Sequence, residues 1–288
     1  MSLNKELVKK LRAKTDAGIK DCNNALKESK NNLEKALEWL RLKGVTSAKK
    51  KSHRMTKEGV ITIFNANNQA VLLELNAETD FVCKSKKFLK LASKLAETAH
   101  QHNAESVSDL LNYSIDGIKI NEYISEHIAI IGENIILKRI KLIKSENGQL
   151  YSYIHGKNSD DSGSIVTIVD ISGNNLPEVQ KLAQQLSMHI TATKPIALNI
   201  SDLDRKVIEK EKQILSIQVE QEGKPQNIAK KIVEGKMNKF YENVVLMEQT
   251  FVMDSKIKIK NLDRDMKNRY GNTISGFTRF EVGENLDD

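Results

Sequence analysis

The chain has 288 residues, with 45 Lys and Arg against 38 Asp and Glu and a formal net charge of +7. Hydrophobic residues at 39% and charged residues at 29% exclude a disordered tail-like chain, and the length calls for more than one core. No apolar run reaches the roughly 18 residues of a membrane helix, and the polar start (Asn4, Glu6) lacks a signal core or transit-peptide composition, so the cytoplasm is the expected compartment.

Residues 4–43 read as three short helices, with apolar stripes at Leu7, Val8 and Leu11, at Ile19, Cys22, Ala25 and Leu26, and at Leu33, Ala36, Leu37 and Leu40. Thr15 and Asp16 are placed to cap the second helix, Asn31 or Asn32 the third, and Gly44 to end it. The basic run Ala48–Arg54 shows no periodicity and reads as a linker. Residues 1–58 hold 16 Lys/Arg against 7 Asp/Glu, so the positive charge belongs to this N-terminal fifth. A phosphate-binding arm and steering toward an acidic protein partner both fit that distribution.

After Gly59 the period changes to two. Val60–Phe64 and Ala70–Leu75 flank Asn65–Gln69 as a hairpin, and a helix from about Ser85 to His100 follows with Phe88, Leu91, Leu95 and Ala99 on one face. A second such unit begins with a strand at Gly163–Ile171 and a helix opened by Pro177. Both helices carry Lys-Leu-Ala-x-x-Leu, at Lys90–Leu95 and Lys181–Leu186, which points to two related α+β subdomains. Between about 202 and 242, two charged stretches separated by Glu222-Gly223-Lys224-Pro225 read as an antiparallel helical hairpin. Its seam is Val207/Ile208, Leu215 and Val219 against Ile228, Ile232 and Phe240. An apolar segment, Phe251-Val252-Met253, and a final strand over Ile274–Val282 complete the chain.

Chemistry-bearing motifs are absent. No phosphate-binding glycine loop or nucleophile elbow occurs, Cys22 and Cys83 form no Cys-x-x-Cys pair, and His100 and His102 point apart. Asp160-Asp161 sits in a polar run that reads as solvated. Catalytic residues, resident cofactors and metals are therefore expected to be none. A basic nucleic-acid- or ribosome-binding protein stays open as an alternative, though Trp39 is the only aromatic before Phe64.

Several stretches are more specific than periodicity. Thr15–Leu26, Ala36–Gly44, Glu78-Thr79-Asp80-Phe81-Val82, Ile131-Gly132-Glu133-Asn134-Ile135, Met188-His189-Ile190, Val233–Met237, Gln249–Met253 and Phe277–Gly283 follow one another in an order that resembles the elongation factor Ts family over essentially the whole chain. The resemblance implies an α+β fold: a ubiquitin-associated-like three-helix domain (1–45), a basic linker (46–58), a core N-subdomain (59–145), a core C-subdomain (146–198 with 248–288) and an inserted helical hairpin (199–247). It implies a guanine nucleotide exchange factor for elongation factor Tu, acting as a 1:1 or 2:2 complex without direct nucleic-acid contact. The loop Thr79, Asp80, Phe81 and Val82 would dislodge Mg²⁺ from that GTPase, with Phe81 as the wedge. Val8, Lys9, Asn23, Ile131, Gly132, His155, Val252 and Met253 would contact it. Asn23 stands where the family often has Lys, and Thr250 where many members have Pro.

Overall fold

The computed structural model describes residues 5–221 and 225–285; Asn4, and Glu222, Gly223 and Lys224 of the expected hairpin turn, lie outside the described residues. The fold is α+β. It divides into two units, the first of Met1–Lys144, Ile154–Val166 and Phe280–Asp288, the second of Ser145–Tyr153 and Thr167–Arg279.

The first unit opens with helices α1 (Lys5–Thr15), α2 (Ile19–Glu28) and α3 (Leu33–Lys51). Strands β1 (Glu58–Ala66) and β2 (Gln69–Ala77), the single turn α4 (Asp80–Cys83) and helix α5 (Lys86–Gln101) follow. Next come a second single turn, α6 (Val107–Leu110), the short pair β3 (Ser114–Ile115) and β4 (Ile118–Lys119), helix α7 (Ile120–Ile131) and strand β5 (Ile135–Lys144). After β6 (Gly148–His155), the two-residue strand β7 (Ser162–Gly163) returns to the edge of β1, giving the sheet order β5-β2-β1-β7.

Leu11, Cys22, Ala25, Leu26 and Ala36 form the core of the three helices, edged by Leu7, Val8, Leu37 and Leu40. Ile19 does not join them; it stands exposed at the first position of α2. The Thr15 hydroxyl does not cap α2 either. It donates back to the Leu11 carbonyl and accepts from the Ala17 amide, which leaves Gly18 as a cap without a side chain. Asn32 caps α3, accepting from the Lys35 amide at 3.0 Å.

Gly44 does not end α3. The helix runs seven residues further, so Lys49–Lys51 is helical rather than a linker, and only residues 52–57 are irregular. Gly44 is buried against α7, where an added Cβ would lie 3.3 Å from Glu126 Cα and from the Ser125 carbonyl oxygen. Close helix packing outweighs the roughly 1 kcal/mol that glycine costs inside a helix.

The β1–β2 turn places Asn67 and Asn68 at φ 55° and 56°, the left-handed pair that suits a two-residue hairpin. β2 lies inside the sheet, and every residue from Ala70 to Ala77 is buried, so its sequence shows no alternation. Phe88, Leu91, Ala92, Leu95, Ala96 and Ala99 of α5 pack on Val60, Val71, Leu73 and Leu75, in one core with Ile120, Ile124 and Ile128 of α7. Asp161 is not the solvated loop residue its neighbours suggested. Its carboxylate accepts from the Ser93, Ser159 and Ser162 hydroxyls, and its carbonyl accepts from the Ile63 amide, which fixes β7 on β1.

A buried ion pair closes this unit at its far end in sequence. Glu74 is fully buried and accepts from Arg139 Nε at 2.7 Å and from the Gly283 amide at 3.1 Å. The same guanidinium donates to the Glu281 carbonyl and the Glu284 carboxylate, and its carbon lies 3.9 Å from the centre of the Phe280 ring.

The second unit contains β8 (Ile165–Ser172) over most of its length, α8 (Pro177–Thr193), α9 (Arg205–Gln221), α10 (Gln226–Val244), α11 (Ile259–Tyr270) and β9 (Thr273–Glu281), with sheet order β6-β8-β9. Val169 and Ile171 pack with Val179, Ala183, Leu186 and Ile190 of α8 and with Phe251, Met266 and Ile274. The shared hexapeptide does the same work in both units: Ala92 and Leu95 on α5, and Ala183 and Leu186 on α8, are buried against strands. Helices α9 and α10 pair antiparallel. Leu215 and Val219 meet Val233 and Met237, while Ile208 meets Phe240 and Tyr241 toward the base. Val207 and Ile228, expected in that seam, are exposed.

Candidate functional site

Where β2 ends, the chain makes a braced turn. Thr79 adopts extended angles (φ −130°, ψ 152°) and its hydroxyl oxygen accepts from the Val82 amide at 3.4 Å, so it caps the single helical turn α4. The turn has an inside and an outside. Cys83 faces inward and is buried, and burial, with the Glu58 and Glu133 charges behind it, pushes its thiol up to about 12. Phe81 faces outward and is 83% exposed. Asp80 bonds to Lys84 one turn on at 2.7 Å, and that hydrogen bond holds its carboxyl below the usual carboxylate range.

A second loop holds the first. Helix α7 ends on Gly132, whose left-handed φ of 93° turns the chain so that Glu133 points at the Thr79 loop. One Glu133 carboxylate oxygen accepts from the Glu78 and Thr79 amides at 3.1 and 3.0 Å, and the other accepts from the Thr79 hydroxyl at 2.7 Å. Glu78 returns the arrangement by accepting from the Asn134 amide at 2.7 Å and from the Arg54 guanidinium at 3.3 Å. The Asn134 amide, then Arg54, draw the Glu78 carboxyl below its ordinary range. Asn134 Nδ2 also donates to the Arg54 carbonyl, so the end of the irregular segment is tied in.

The structure thus joins Thr79, Asp80, Phe81 and Val82 to Ile131 and Gly132, six residues singled out from the sequence in two separate motifs. Sequence reasoning gave no role to Glu78 and Glu133. The available signal was an acid inside each of the two quoted stretches, directly before Thr79 in one and directly after Gly132 in the other.

The remaining residues lie elsewhere. Val8 is half-buried in the three-helix core, Lys9 points outward with Glu6 3.5 Å away, and Asn23 is half-buried on α2. His155 is exposed at the end of β6, with its carbonyl accepting from the Ser164 amide and hydroxyl. In the second unit, Val252 and Met253 are about half exposed just after buried Phe251. The Val252 amide donates to His189 Nδ1 at 3.3 Å, so the imidazole proton sits on Nε2 and is given to Gln249 Oε1 at 2.9 Å. Burial holds His189 below its ordinary range, and the neutral ring anchors the 249–252 segment.

Among the described residues, no group of three or more His, Cys, Asp or Glu is arranged to hold a metal ion, and no helix is long and apolar enough to cross a membrane. What the braced turn offers is an apolar ring on a stiff mount, flanked by a second loop. An exposed aromatic ring on a braced loop is a form that binding surfaces take. The family pattern described as Elongation factor TS matches residues 78–284, starting at the braced turn itself. Proteins named Elongation factor Ts from Ehrlichia canis (strain Jake) and Halothermothrix orenii are similar over nearly the whole chain. The first is 40% identical over 288 residues, covering 99% of this chain and all of the relative. The second is 39% identical over 292 residues, covering 100% and 94%. The chain belongs to the elongation factor Ts family, translation elongation factors of the nucleotide-exchange class.

Proposed function

We propose that the chain binds elongation factor Tu carrying GDP and speeds GDP release by driving Phe81 between elements of the GTPase beside its nucleotide. A nucleotide held through phosphates and Mg²⁺ depends on fine placement of its ligands, so a wedge nearby displaces the ion and loosens the phosphate loop. The observation that carries this reading is the ring of Phe81, 83% exposed on a turn braced by Glu133. A large apolar ring held out on a stiff support is already ordered for entry into a partner's pocket, so its burial there is offset by little conformational entropy.

In this reading Thr79, Asp80 and Val82 shape the wedge, and Ile131, Gly132 and His155 add contacts around the GTPase. Val8, Lys9 and Asn23 on the three-helix domain grip its nucleotide-binding domain, and Val252 and Met253 form an apolar contact from the second unit. The complex forms in the cytoplasm, as one or two copies of each partner, and the basic N-terminal segment steers encounter with an acidic protein surface. Linkage makes the effect reciprocal: nucleotide weakens this protein's hold on the GTPase by the same factor.

The test is release of a fluorescent GDP from elongation factor Tu at increasing concentrations of this protein. A saturable acceleration is expected. No acceleration with an active partner overturns the proposal, and a binding signal to RNA that falls steeply with salt favours the nucleic-acid reading instead.

A further inference from the structure

We infer that Glu133 is the positioning residue that sets the Phe81 ring in its working orientation, an inference that rests on the exchange reading above. The turn carrying Phe81 has four residues, far below the length at which a helix holds itself. Its own backbone bonds are few: Cys83 N–H to Thr79 at 3.3 Å, Lys84 N–H to Asp80 at 3.1 Å and Ser85 N–H to Val82 at 2.9 Å. The Asp80–Lys84 pair is exposed and contributes little rigidity. Geometry must therefore come from outside the turn.

Glu133 supplies it through one hydroxyl. A threonine hydroxyl has a single hydrogen, and in Thr79 that hydrogen is committed to Glu133 Oε1, which aims the oxygen's lone pair at the Val82 amide. The same carboxylate takes the amides of Glu78 and Thr79 on its other oxygen. Residues 79 and 82, on either side of Phe81, are thus both fixed by Glu133, the first directly and the second through the hydroxyl. Only a carboxylate offers two acceptor oxygens here; a glutamine turns a donor toward one of these donors.

The experiment compares wild type, Glu133→Gln, Phe81→Ala and the double variant in fluorescent-GDP release from elongation factor Tu, across a full range of factor concentrations. Glu133→Gln is expected to lower the maximal release rate about tenfold, the equivalent of about one charge-assisted hydrogen bond. The half-saturating concentration should shift less than threefold, because the rest of the surface is untouched. In the Phe81→Ala background the same change should cost less than twofold, since no ring remains to be positioned. Hydrogen exchange in the variant without partner should speed up at the amides of Thr79 and Val82 and stay unchanged in α5.

A wild-type maximal rate in Glu133→Gln, or an equal tenfold loss with and without Phe81, overturns the inference. If Glu133→Gln is poorly folded, Thr79→Val removes the relaying hydroxyl alone and should show the same pattern; a wild-type rate there also overturns it. Failure of the exchange reading looks different: wild type itself leaves GDP release unchanged, while hydrogen exchange at Thr79 and Val82 still reports whether Glu133 orders the turn.

Discussion

Phe81→Ala tests the proposed wedge with little disturbance of the fold, because the ring is almost fully exposed. A phenylalanine side chain presents about 200 Å² of apolar surface, and at 83% exposure most of that area faces water in the free protein. Truncation to alanine removes about 120 Å² of it, which at about 25 cal/mol per Å² corresponds to about 3 kcal/mol of lost contact with the partner. That is about a hundredfold in GDP-release efficiency. The cost to the fold should stay below about 0.5 kcal/mol, because almost nothing packs on the ring. Phe88 supplies the internal control: it is fully buried at the start of α5, and Phe88→Ala should cost about 3–5 kcal/mol of stability. The assay is stopped-flow release of fluorescent GDP, with urea unfolding run in parallel. A Phe81→Ala protein that keeps wild-type stability and releases GDP within threefold of wild type would refute the wedge.

Three further predictions concern the scaffold. Gly44→Leu should destabilise the first unit by about 1–3 kcal/mol in urea unfolding, because the side chain must enter the Ser125–Glu126 backbone of α7; an unchanged midpoint would mean that α3 and α7 part easily. Arg139→Met should cost about 3 kcal/mol by leaving the Glu74 carboxylate buried without its cation, and adding Glu74→Gln should recover part of the loss by removing the stranded charge. His189 is held below its ordinary range by burial, so the stability it provides is complete above about pH 6.5 and is lost as pH falls through its lowered folded value. The stability gap between wild type and His189→Asn should therefore narrow from pH 7.5 to pH 5, whereas a constant gap would show that the ring's protonation is not linked to the fold.

Local signals located β1, β2, α5, β8, the start of α8 and β9 to within about two residues, whereas α7, β5, β6 and α11 were not read from the sequence. The Asn67-Asn68 turn, the Ser85 cap of α5 and Pro177 at the first turn of α8 are set by residues adjacent in sequence. Exposure of Phe81 followed from a motif, since periodicity alone would place a lone phenylalanine in the core. Errors arose where a local cue competed with a distant surface. Gly44 reads as a stop signal, yet it is a contact point for α7, about 80 residues later in the chain, and so α3 continues. Asp161 reads as solvated until Ser93 of α5 is brought to it.

The sequence by itself determined the class of the fold and the helical and strand periods, because these rest on neighbours within a turn or a strand, and its ordered motifs carried the family and singled out Phe81. Only the tertiary structure decided what holds that ring. Glu133 and Glu78 gain their roles when α7 ends on a left-handed glycine beside the end of β2, and Glu74, Arg139 and Glu284 become one network when the final segment returns to the first sheet. A carboxylate is most favourably exposed to water until it is buried opposite amides or a guanidinium, and which of those it meets depends on chain closure across more than fifty residues, a distance over which no local pattern carries information.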